Sequence, residues 1–320
     1  MKNAGVVNQF KGALGRRTVI VFIALVVFVI IAGLVMPATL GPDNVRSVIR
    51  ESSFLGIVAL GQGVVMLSGG LDISVGNIMF FVIVYGGNVL AAHPEYSAIL
   101  CLACVLFGAL VGLINGFGVS RFKISPIIMT LATGSMLYGL IYIFGGSDRM
   151  GSAAPAPLQS VGKGILFNVI PYTGVMWLVL AGFFVFVLYN TTFGRRIYAT
   201  GNNPKAAWLS GINSEGTLIK SYMICGALAA FAGLLLLGYL GTPTLRFTDI
   251  YTMGSIEASV LGGIDFFTGV GSIIGTIAGT LLVRFLFTLL LMIRVNDAGR
   301  MIAEGVLILV IVAAYKLRER

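Results

Sequence analysis

The chain has 320 residues, of which 58% are hydrophobic and only 10% are charged, and its mean hydropathy is +0.99. A soluble globular protein needs more charge to cover its surface, so the composition excludes that class. The net charge is +9, but the basic residues lie in separate short segments and form no stripe, which excludes a nucleic-acid-binding surface. The composition instead predicts an all-α polytopic membrane protein that forms one domain over residues 1–320.

Ten apolar segments are predicted to be transmembrane helices, because several approach the 20 residues that cross a bilayer core of roughly 30 Å. The first is too long for a signal peptide and is read as an uncleaved span. Basic residues precede it and also follow the fourth, sixth and tenth segments, so the positive-inside rule predicts that both termini are cytoplasmic. In chain order, the segments are 18–36, 46–68, 73–92, 97–120, 124–144, 173–190, 219–240, 250–263, 269–293 and 300–315.

Two long connections separate these segments. Residues 145–172, named the outer loop, contain a proline-rich stretch at 153–157 and cannot span a membrane. Loops of this length are usually functional or disordered. Residues 191–220, named the inner loop, form a basic, polar island between apolar segments.

A short helix is predicted in the middle of the inner loop. Asn203 suits the N-cap, Pro204 suits the first helical position and Gly211 suits the stop. Trp208 and Leu209 give this helix an apolar side that a small loop cannot bury alone. The pattern predicts a hydrophobic tip that docks onto a soluble partner.

One glycine pattern occurs twice. The sequence Gly69-Gly70-Leu71-Asp72 is echoed by Gly262-Gly263-Ile264-Asp265, and each follows a helical segment. Paired helix interruptions in the two halves of a chain point to a transport path. Both stretches are therefore candidates for lining such a path.

Four polar residues near or within the spans have two interpretations each. Asp72 is either the N-cap of the third helix or, with Ser74, part of a break beside the path. Asn115 and Thr130 either form interhelical hydrogen bonds or line the path.

Three charged residues fall within apolar segments near the outer side. These are Glu257, Arg284 and Glu304. A charge at the bilayer centre costs about 3 kcal/mol on insertion scales, so each is expected to have a partner. We predict that Arg284 pairs with Glu304 or Glu257. The pair either ties helices together or adds a polar lining to the path.

Residues for catalysis and for nucleotide binding are missing from the sequence. His93 is the only histidine, so no Ser/His/Asp set can form and no zinc-protease motif exists. The cysteine pair Cys101 and Cys104 has no His, Asp or Glu beside it and is read as two membrane-buried side chains. No Walker A loop is present. The chain is predicted to bind no metal or cofactor, and any ATP with its Mg²⁺ must be used by another subunit.

Four stretches resemble the permease subunits of ribose-type sugar ABC importers, in the branched-chain amino acid/ribose permease family. They are MLSGGLDISVGNI at 66–78, ISPIIMTLATGSMLYG at 124–139, YATGNNPKAAWLSGI at 198–212 and VLGGIDFFTGVGSIIGTIAGTL at 260–281. Their order and spacing match as well, so the resemblance covers nearly the whole chain. Glu257, Asp265 and Trp208 depart from the family pattern.

The resemblance implies a type II ABC importer fold with about ten helices, in the cytoplasmic membrane of a prokaryote. It also implies a second permease copy, identical or paralogous, an extracytoplasmic substrate-binding protein and a cytoplasmic ATPase that engages the inner loop. Closure of the ATPases would switch the permeases between outward and inward states. The implied coupling positions are Gly201, Asn203, Pro204, Ala206, Ala207, Trp208, Leu209, Ser210 and Gly211.

The predicted function is therefore import of a monosaccharide by a non-enzymatic permease subunit. Its alternatives are import of another small polar solute such as a nucleoside, a polyol or a furanone-like signal, ion-coupled secondary transport, and a multipass membrane enzyme. Membrane lipid is the surrounding partner in each case. The predicted path positions are Gly69, Gly70, Asp72, Ser74, Asn115, Thr130, Glu257, Gly262 and Gly263.

Overall fold

The computed structural model describes residues 16–144, 153–242, 248–265, 269–296, 298–300, 302–303, 305–306 and 309. Long helices dominate these residues, as the composition predicts. The helices are α1 Arg16–Val35, α2 Pro42–Leu67, α3 Val75–Phe81, α4 Gly87–Ala92, α5 Ser97–Arg121, α6 Pro126–Phe144, α7 Ala156–Lys163, α8 Tyr172–Asn190, α9 Thr192–Asn202, α10 Pro204–Leu209, α11 Ser214–Leu240, α12 Thr248–Leu261 and α13 Ile273–Met292.

Eight helical segments among the described residues are long and apolar enough to cross a membrane. They correspond to α1, α2, the combined α3–α4 unit, α5, α6, α8, α11 and α13. The eighth predicted segment is the shorter helix α12, and most of the tenth lies outside the described residues. The structure therefore confirms an all-α polytopic protein, while the number ten stays a prediction.

The third span is not a regular helix. A π-helical turn, Val82–Gly86, separates α3 from α4. Such turns widen a helix locally and occur often at functional sites. The sequence analysis read residues 73–92 as one continuous segment and gave no sign of this turn.

The core is built around α2 and α11. From Ser52 to Leu67 every residue of α2 is buried, and most of α11 is buried as well. In contrast, α1 and α5 expose rows of aliphatic side chains, including Ile30, Leu34 and Leu106. This division is that of a membrane protein with two central helices and a peripheral layer that presents apolar side chains outward.

Glycines at every fourth position allow α5 to lie directly against α11. A Cβ atom on Gly108 would overlap the Gly226 carbonyl, and one on Gly112 would overlap the Tyr222 carbonyl. One on Gly116 would lie 2.7 Å from the Ile219 Cα atom. Small residues spaced in this way are what close packing of membrane helices requires.

The structure describes residues 153–172 of the outer loop. Its described residues contain α7 and a two-stranded antiparallel hairpin, β1 Ile165–Leu166 and β2 Ile170–Pro171. α7 packs against the end of α11, where a Cβ atom on Gly238 would overlap the Leu158 carbonyl. Residues 145–152 lie outside the described part of the chain.

Candidate functional site

The first candidate site is the interruption between α2 and α3. α2 ends at Leu67, and Gly69 has a φ of +85°, which glycine adopts without steric cost. The Gly70 N–H donates to the Val65 carbonyl at 2.9 Å and closes the last turn in a Schellman arrangement. Residues 71–74 are consequently non-helical, so the predicted break is present but the third helix begins at Val75 and not at residue 73.

Side chains of two other helices satisfy the exposed backbone of this interruption. The Tyr222 hydroxyl on α11 donates to the Leu71 carbonyl at 3.0 Å and lies 3.1 Å from the Leu71 nitrogen, whose N–H it accepts. The Thr130 hydroxyl on α6 accepts from the Ile73 N–H at 3.1 Å. Backbone groups that leave a helix inside a membrane require such partners, because no bulk water can replace them.

A buried polar cluster completes the first interruption. Asp72 Oδ1 accepts from the Ser74 N–H at 2.8 Å and from the Ser74 hydroxyl at 2.6 Å. Asn115 on α5 donates to Ser74 Oγ at 2.9 Å. The N-cap of α3 is Ser74, so the interpretation of Asp72 as the N-cap is corrected: its carboxylate binds the cap residue from two positions earlier.

Asn115 forms the expected hydrogen bond to another helix, at the N-cap of α3, whereas Thr130 binds the backbone of the non-helical stretch. Asp72, Ser74, Asn115 and Thr130 are fully buried. Their place on a transport path stays a prediction.

The second interruption follows α12. α12 ends in the same kind of glycine turn as α2, but the turn lies one residue later than the sequence match predicts. Gly263 has a φ of +89°, and the Ile264 N–H donates to the Ser259 carbonyl at 3.0 Å. Gly263 is therefore the structural equivalent of Gly69, whereas matching the two sequences letter by letter pairs Gly69 with Gly262. The echo marks two real interruptions, but the structural match is displaced by one residue.

Close backbone packing holds the second interruption. A Cβ atom on Gly262 would lie 2.5 Å from the Thr276 nitrogen, and one on Gly275 would overlap the Gly262 carbonyl. The N-terminus of α13 is capped by Ser272, whose Oγ accepts from the Ile274 N–H at 3.2 Å. Glycine is required on both helices because a Cβ atom on either one would overlap the backbone of the other.

The two interrupted units also touch each other. The Gly76 N–H in the first turn of α3 donates to Thr252 Oγ1 on α12 at 3.1 Å. This bond satisfies one of the backbone donors that a helix N-terminus leaves free. Glu257 lies further along α12 and is half-buried, and its role on the path stays a prediction.

α9, the first helix of the inner loop, lies beside both interruptions. A Cβ atom on Gly201 would overlap the Leu67 carbonyl at the end of α2 and would lie 3.3 Å from the Gly269 Cα atom beyond the second interruption. A Cβ atom on Gly69 would in turn lie 3.6 Å from the Gly201 Cα atom. The sequence analysis placed no helix at 192–202, and α9 is therefore an addition to that reading.

Two tyrosines form a second connection from α9 to α13. The Tyr189 hydroxyl, at the end of α8, donates to Ser272 Oγ at 2.8 Å. The Tyr189 and Tyr198 rings lie 6.3 Å apart, and Tyr198 belongs to α9. Burial raises the pKa of the Tyr198 hydroxyl, and the nearby Tyr189 adds to the rise, so the Tyr198 side chain is neutral.

The predicted helix of the inner loop is present as α10. Asn203 Oδ1 accepts from the Ala206 N–H at 3.0 Å, and Gly211 has a φ of +78°. Trp208 and Leu209 are 69% and 71% exposed. The capping residues and the exposed apolar tip agree with the sequence, while the coupling role of this helix stays a prediction.

α10 is fixed to the start of α11. The Ser214 hydroxyl donates to the Pro204 carbonyl at 3.2 Å, and the Ile212 N–H donates to the Ala207 carbonyl at 3.0 Å. Ala207 is buried, and the Ser210 hydroxyl bonds within the helix. The exposed tip is thus presented in one orientation.

Arg284 on α13 is buried beside an acidic residue that the sequence analysis missed. Its guanidinium lies 3.9 Å from the Glu51 carboxylate on α2 and 5.3 Å from the centroid of the Tyr251 ring. Both contacts offset the cost of a charge in the membrane. Glu304 lies outside the described residues, so its predicted pairing stays a prediction, as does pairing with Glu257.

Several residues of the site have no local signal in the sequence. Tyr222 contacts Leu71 across 151 positions, and Gly269 and Glu51 meet their neighbours only through the fold. One general rule could have pointed to Tyr222 as a residue of the site. A tyrosine within an apolar helix needs a hydrogen-bond partner for its hydroxyl.

No group of three or more His, Cys, Asp or Glu side chains able to hold a metal occurs within the described residues. Cys101 and Cys104 are free and half-buried on α5.

Comparison with known proteins shows that this chain is similar to import permeases. Residues 44–312 match the family described as branched-chain amino acid transport system / permease component. The chain is 31% identical to the ribose import permease protein RbsC of Haemophilus influenzae over 296 residues, which cover 92% of this chain and 91% of that protein. It is 30% identical to the galactose/methyl galactoside import permease protein MglC of the same organism over 316 residues, 91% and 93% of the two chains.

A third relative is the autoinducer 2 import system permease protein LsrC of Escherichia coli, 31% identical over 310 residues, which cover 95% of this chain and 88% of that protein. No solved structure was found to match the chain.

Proposed function

The chain belongs to the family of branched-chain amino acid transport system / permease components, and from this premise we propose that it is the permease subunit of an ATP-driven importer of a monosaccharide. A separate cytoplasmic ATPase hydrolyses ATP with Mg²⁺. A substrate-binding protein delivers the sugar from outside, and a second permease copy, identical or paralogous, completes the path. Both termini lie in the cytoplasm.

The observation that carries this proposal is the position of Gly201. It lies in contact with the end of α2 and with Gly269, so one residue touches the backbone beside both helix interruptions. The exposed helix α10 begins two residues after α9 ends. A partner that moves α10 therefore moves a helix that abuts both interruptions.

The proposed mechanism follows from this contact. The ATPase binds Trp208 and Leu209, whose exposed side chains form an apolar contact surface outside the spans. Closure of the ATPase displaces α10 and, with it, α9. Gly201 has no side chain that could change its conformation and absorb the movement. The displacement of α9 therefore moves the backbone at Leu67 and at Gly269 directly.

The polar cluster of the first interruption suits a polyhydroxylated solute. Asp72 Oδ2 and Asn115 Oδ1 are buried acceptors without a hydrogen-bond partner within the described residues. Sugar hydroxyl groups are donors that such acceptors bind once the interruption opens. A sugar hydroxyl group or a water that reaches this cluster would supply these acceptors with hydrogen bonds.

The relatives narrow the solute without selecting one. Their names specify ribose, galactose or methyl galactoside, and autoinducer 2. We propose a monosaccharide because two of these three names are sugars. A furanone-like signal, a nucleoside or a polyol is the second candidate, and the name of LsrC supports the first of these.

The direct test is uptake by liposomes that contain the permease, its ATPase and its binding protein. We expect radiolabelled ribose, galactose or fructose to accumulate only when ATP is enclosed with the ATPase. Leu209→Asp and Ala206→Asp should abolish accumulation while the ATPase still hydrolyses ATP. Asp near the N-terminus of α10 favours the helix, so the Ala206 variant tests docking and not folding.

Three results would contradict the proposal. Accumulation driven by an ion gradient without any ATPase would identify a secondary transporter. Unchanged ATP-driven uptake in both α10 variants would show that the ATPase acts elsewhere. A change in bound lipid during incubation would instead indicate a membrane enzyme.

A further inference from the structure

A basic cleft lies beside α10 and has no role in the function proposed so far. It encloses about 740 Å³ between the end of α5, the helix α10 and the start of α11. Its charged lining consists of Arg121, Lys123, Lys205 and Glu215. Among the described lining residues, three cations therefore face one carboxylate.

The single carboxylate is already engaged. Glu215 lies 3.2 Å from the Lys123 ammonium and 3.7 Å from the Arg121 guanidinium. These contacts are largely exposed, so each contributes less than about 1 kcal/mol to stability. One carboxylate cannot neutralise both cations, and Lys205 adds a further positive charge to the lining.

The walls of the cleft are set before any partner arrives. Lys205 stands in the first turn of α10, whose position is fixed by the bond from Ser214 to the Pro204 carbonyl. Lys123 lies in the connection just after α5. Trp208 forms part of the lining and is 69% exposed, so the cleft and the apolar tip of α10 are one continuous surface.

We infer that this cleft receives an acidic segment of the ATPase while α10 enters an apolar socket on the same subunit. The inference rests on the proposed function and adds the chemistry of the partner: a hydrophobic socket flanked by two or more carboxylates. Complementary charges at an interface mainly fix orientation and speed association. The cleft therefore sets how the ATPase is oriented around the tip of α10.

An anionic lipid is the competing occupant, and the lining disfavours it. The described lining residues come from helix ends and from the α10 region, and none comes from the middle of a span. Trp208, the exposed tip of α10, also lines the cleft, so the cleft lies where an ATPase bound to that tip would be.

The experiment measures binding of the purified ATPase to the detergent-solubilised permease at low and high salt. We expect the double variant Lys123→Glu/Lys205→Glu to raise the Kd about tenfold at low salt, with a smaller effect at high salt because ions screen exposed charges. Lys205→Glu alone should raise the Kd about threefold. A negative charge in the first turn favours α10, so this single variant separates lost binding from lost folding.

Lys220→Glu is the matched control, because Lys220 is an exposed lysine of α11 that does not line the cleft. Its Kd should match that of the wild type. Equal Kd values for all variants at low salt would overturn the inference. Unchanged binding in detergent with reduced uptake only in liposomes of anionic lipid would overturn it in favour of the lipid.

One further variant separates this inference from the proposed function. Trp208→Asp should abolish binding of the ATPase if α10 is the docking helix. Loss of binding in Trp208→Asp with normal binding in the cleft variants rejects the acidic segment and leaves the proposed function standing. Normal binding and transport in every variant, including Trp208→Asp, rejects both.

Discussion

The two helix interruptions end in the same glycine turn, and the contacts that the described residues make around them differ. Side chains hold the first, where Tyr222 and Thr130 bind its backbone and Asn115 binds its polar cluster. Backbone contact holds the second, where Gly262 and Gly275 leave no room for a Cβ atom. The first should therefore fail when a polar group is lost, and the second when a methyl group is added.

Gly201 is common to the two interruptions, because it touches the backbone beside both of them. A change there should affect both, whereas changes elsewhere should affect one. Backbone hydrogen exchange resolves the two cases, since it reports local opening at individual amides. The amide of Leu71 reports on the first interruption and that of Ile264 on the second.

Gly201→Ala should have the largest effect. Its methyl group would overlap the Leu67 carbonyl, and α9 cannot retreat without losing its contact with Gly269. We expect a destabilisation of about 3 kcal/mol, at the upper end for overpacking, together with loss of transport. Hydrogen exchange should accelerate at both Leu71 and Ile264.

The control for Gly201→Ala is Gly182→Ala in α8. No atom lies within 4 Å of a Cβ added there, and alanine is the better helix former. Wild-type transport by Gly201→Ala would show that the contact with α2 is not needed for transmission. Acceleration at Leu71 alone would show that α9 acts on one interruption only.

Gly275→Ala should perturb the second interruption and leave the first unchanged. Its methyl group would overlap the Gly262 carbonyl and force α12 and α13 apart. We expect a destabilisation of about 2 kcal/mol in thermal unfolding and faster exchange at Ile264. Exchange at Leu71 should stay at the wild-type rate, and Gly139→Ala, which adds a methyl group in open space, should change neither.

Tyr222→Phe should perturb only the first interruption. It removes the hydroxyl that serves both backbone groups of Leu71 and leaves them buried without that partner. The expected cost is about 1.5 kcal/mol, the penalty for a buried polar group that loses its hydrogen bond. Exchange at Leu71 should accelerate and that at Ile264 should not.

Tyr96→Phe serves as the control, because Tyr96 is 56% exposed and water can replace its bonds. Equal acceleration at Leu71 and Ile264 in Tyr222→Phe would mean that the two interruptions open as one unit. The different contacts that hold the two interruptions would then not allow them to open independently.

The sequence predicted what local chemistry decides. Asn203 and Gly211 bound a short helix because capping and a positive φ depend on neighbours only a few positions away. The glycine pairs predicted two interruptions for the same reason. The apolar runs predicted the class of protein, because the bilayer fixes the length of a span.

What the sequence missed is set by contacts between distant residues. Gly201 is one glycine among 43, and only the fold shows that it lies against Leu67 and Gly269. Arg284 required an acidic partner, and only the fold shows that Glu51, distant in the sequence, lies beside it. α9 was overlooked because its polar sequence resembles a loop, although Gly194, Ile197 and Thr200 form its buried side.

Thr252→Val should have the smallest effect and tests whether the interruptions depend on their direct contact. It keeps the shape of the side chain but removes the hydroxyl that accepts from the Gly76 N–H. We expect a cost of about 1 kcal/mol and faster exchange at Gly76 alone, because each interruption keeps its own supports. Thr252→Ser retains the hydroxyl and should restore the wild-type rate. Acceleration at Leu71 and Ile264 in Thr252→Val would instead show that this one hydrogen bond makes the two interruptions a single mechanical unit.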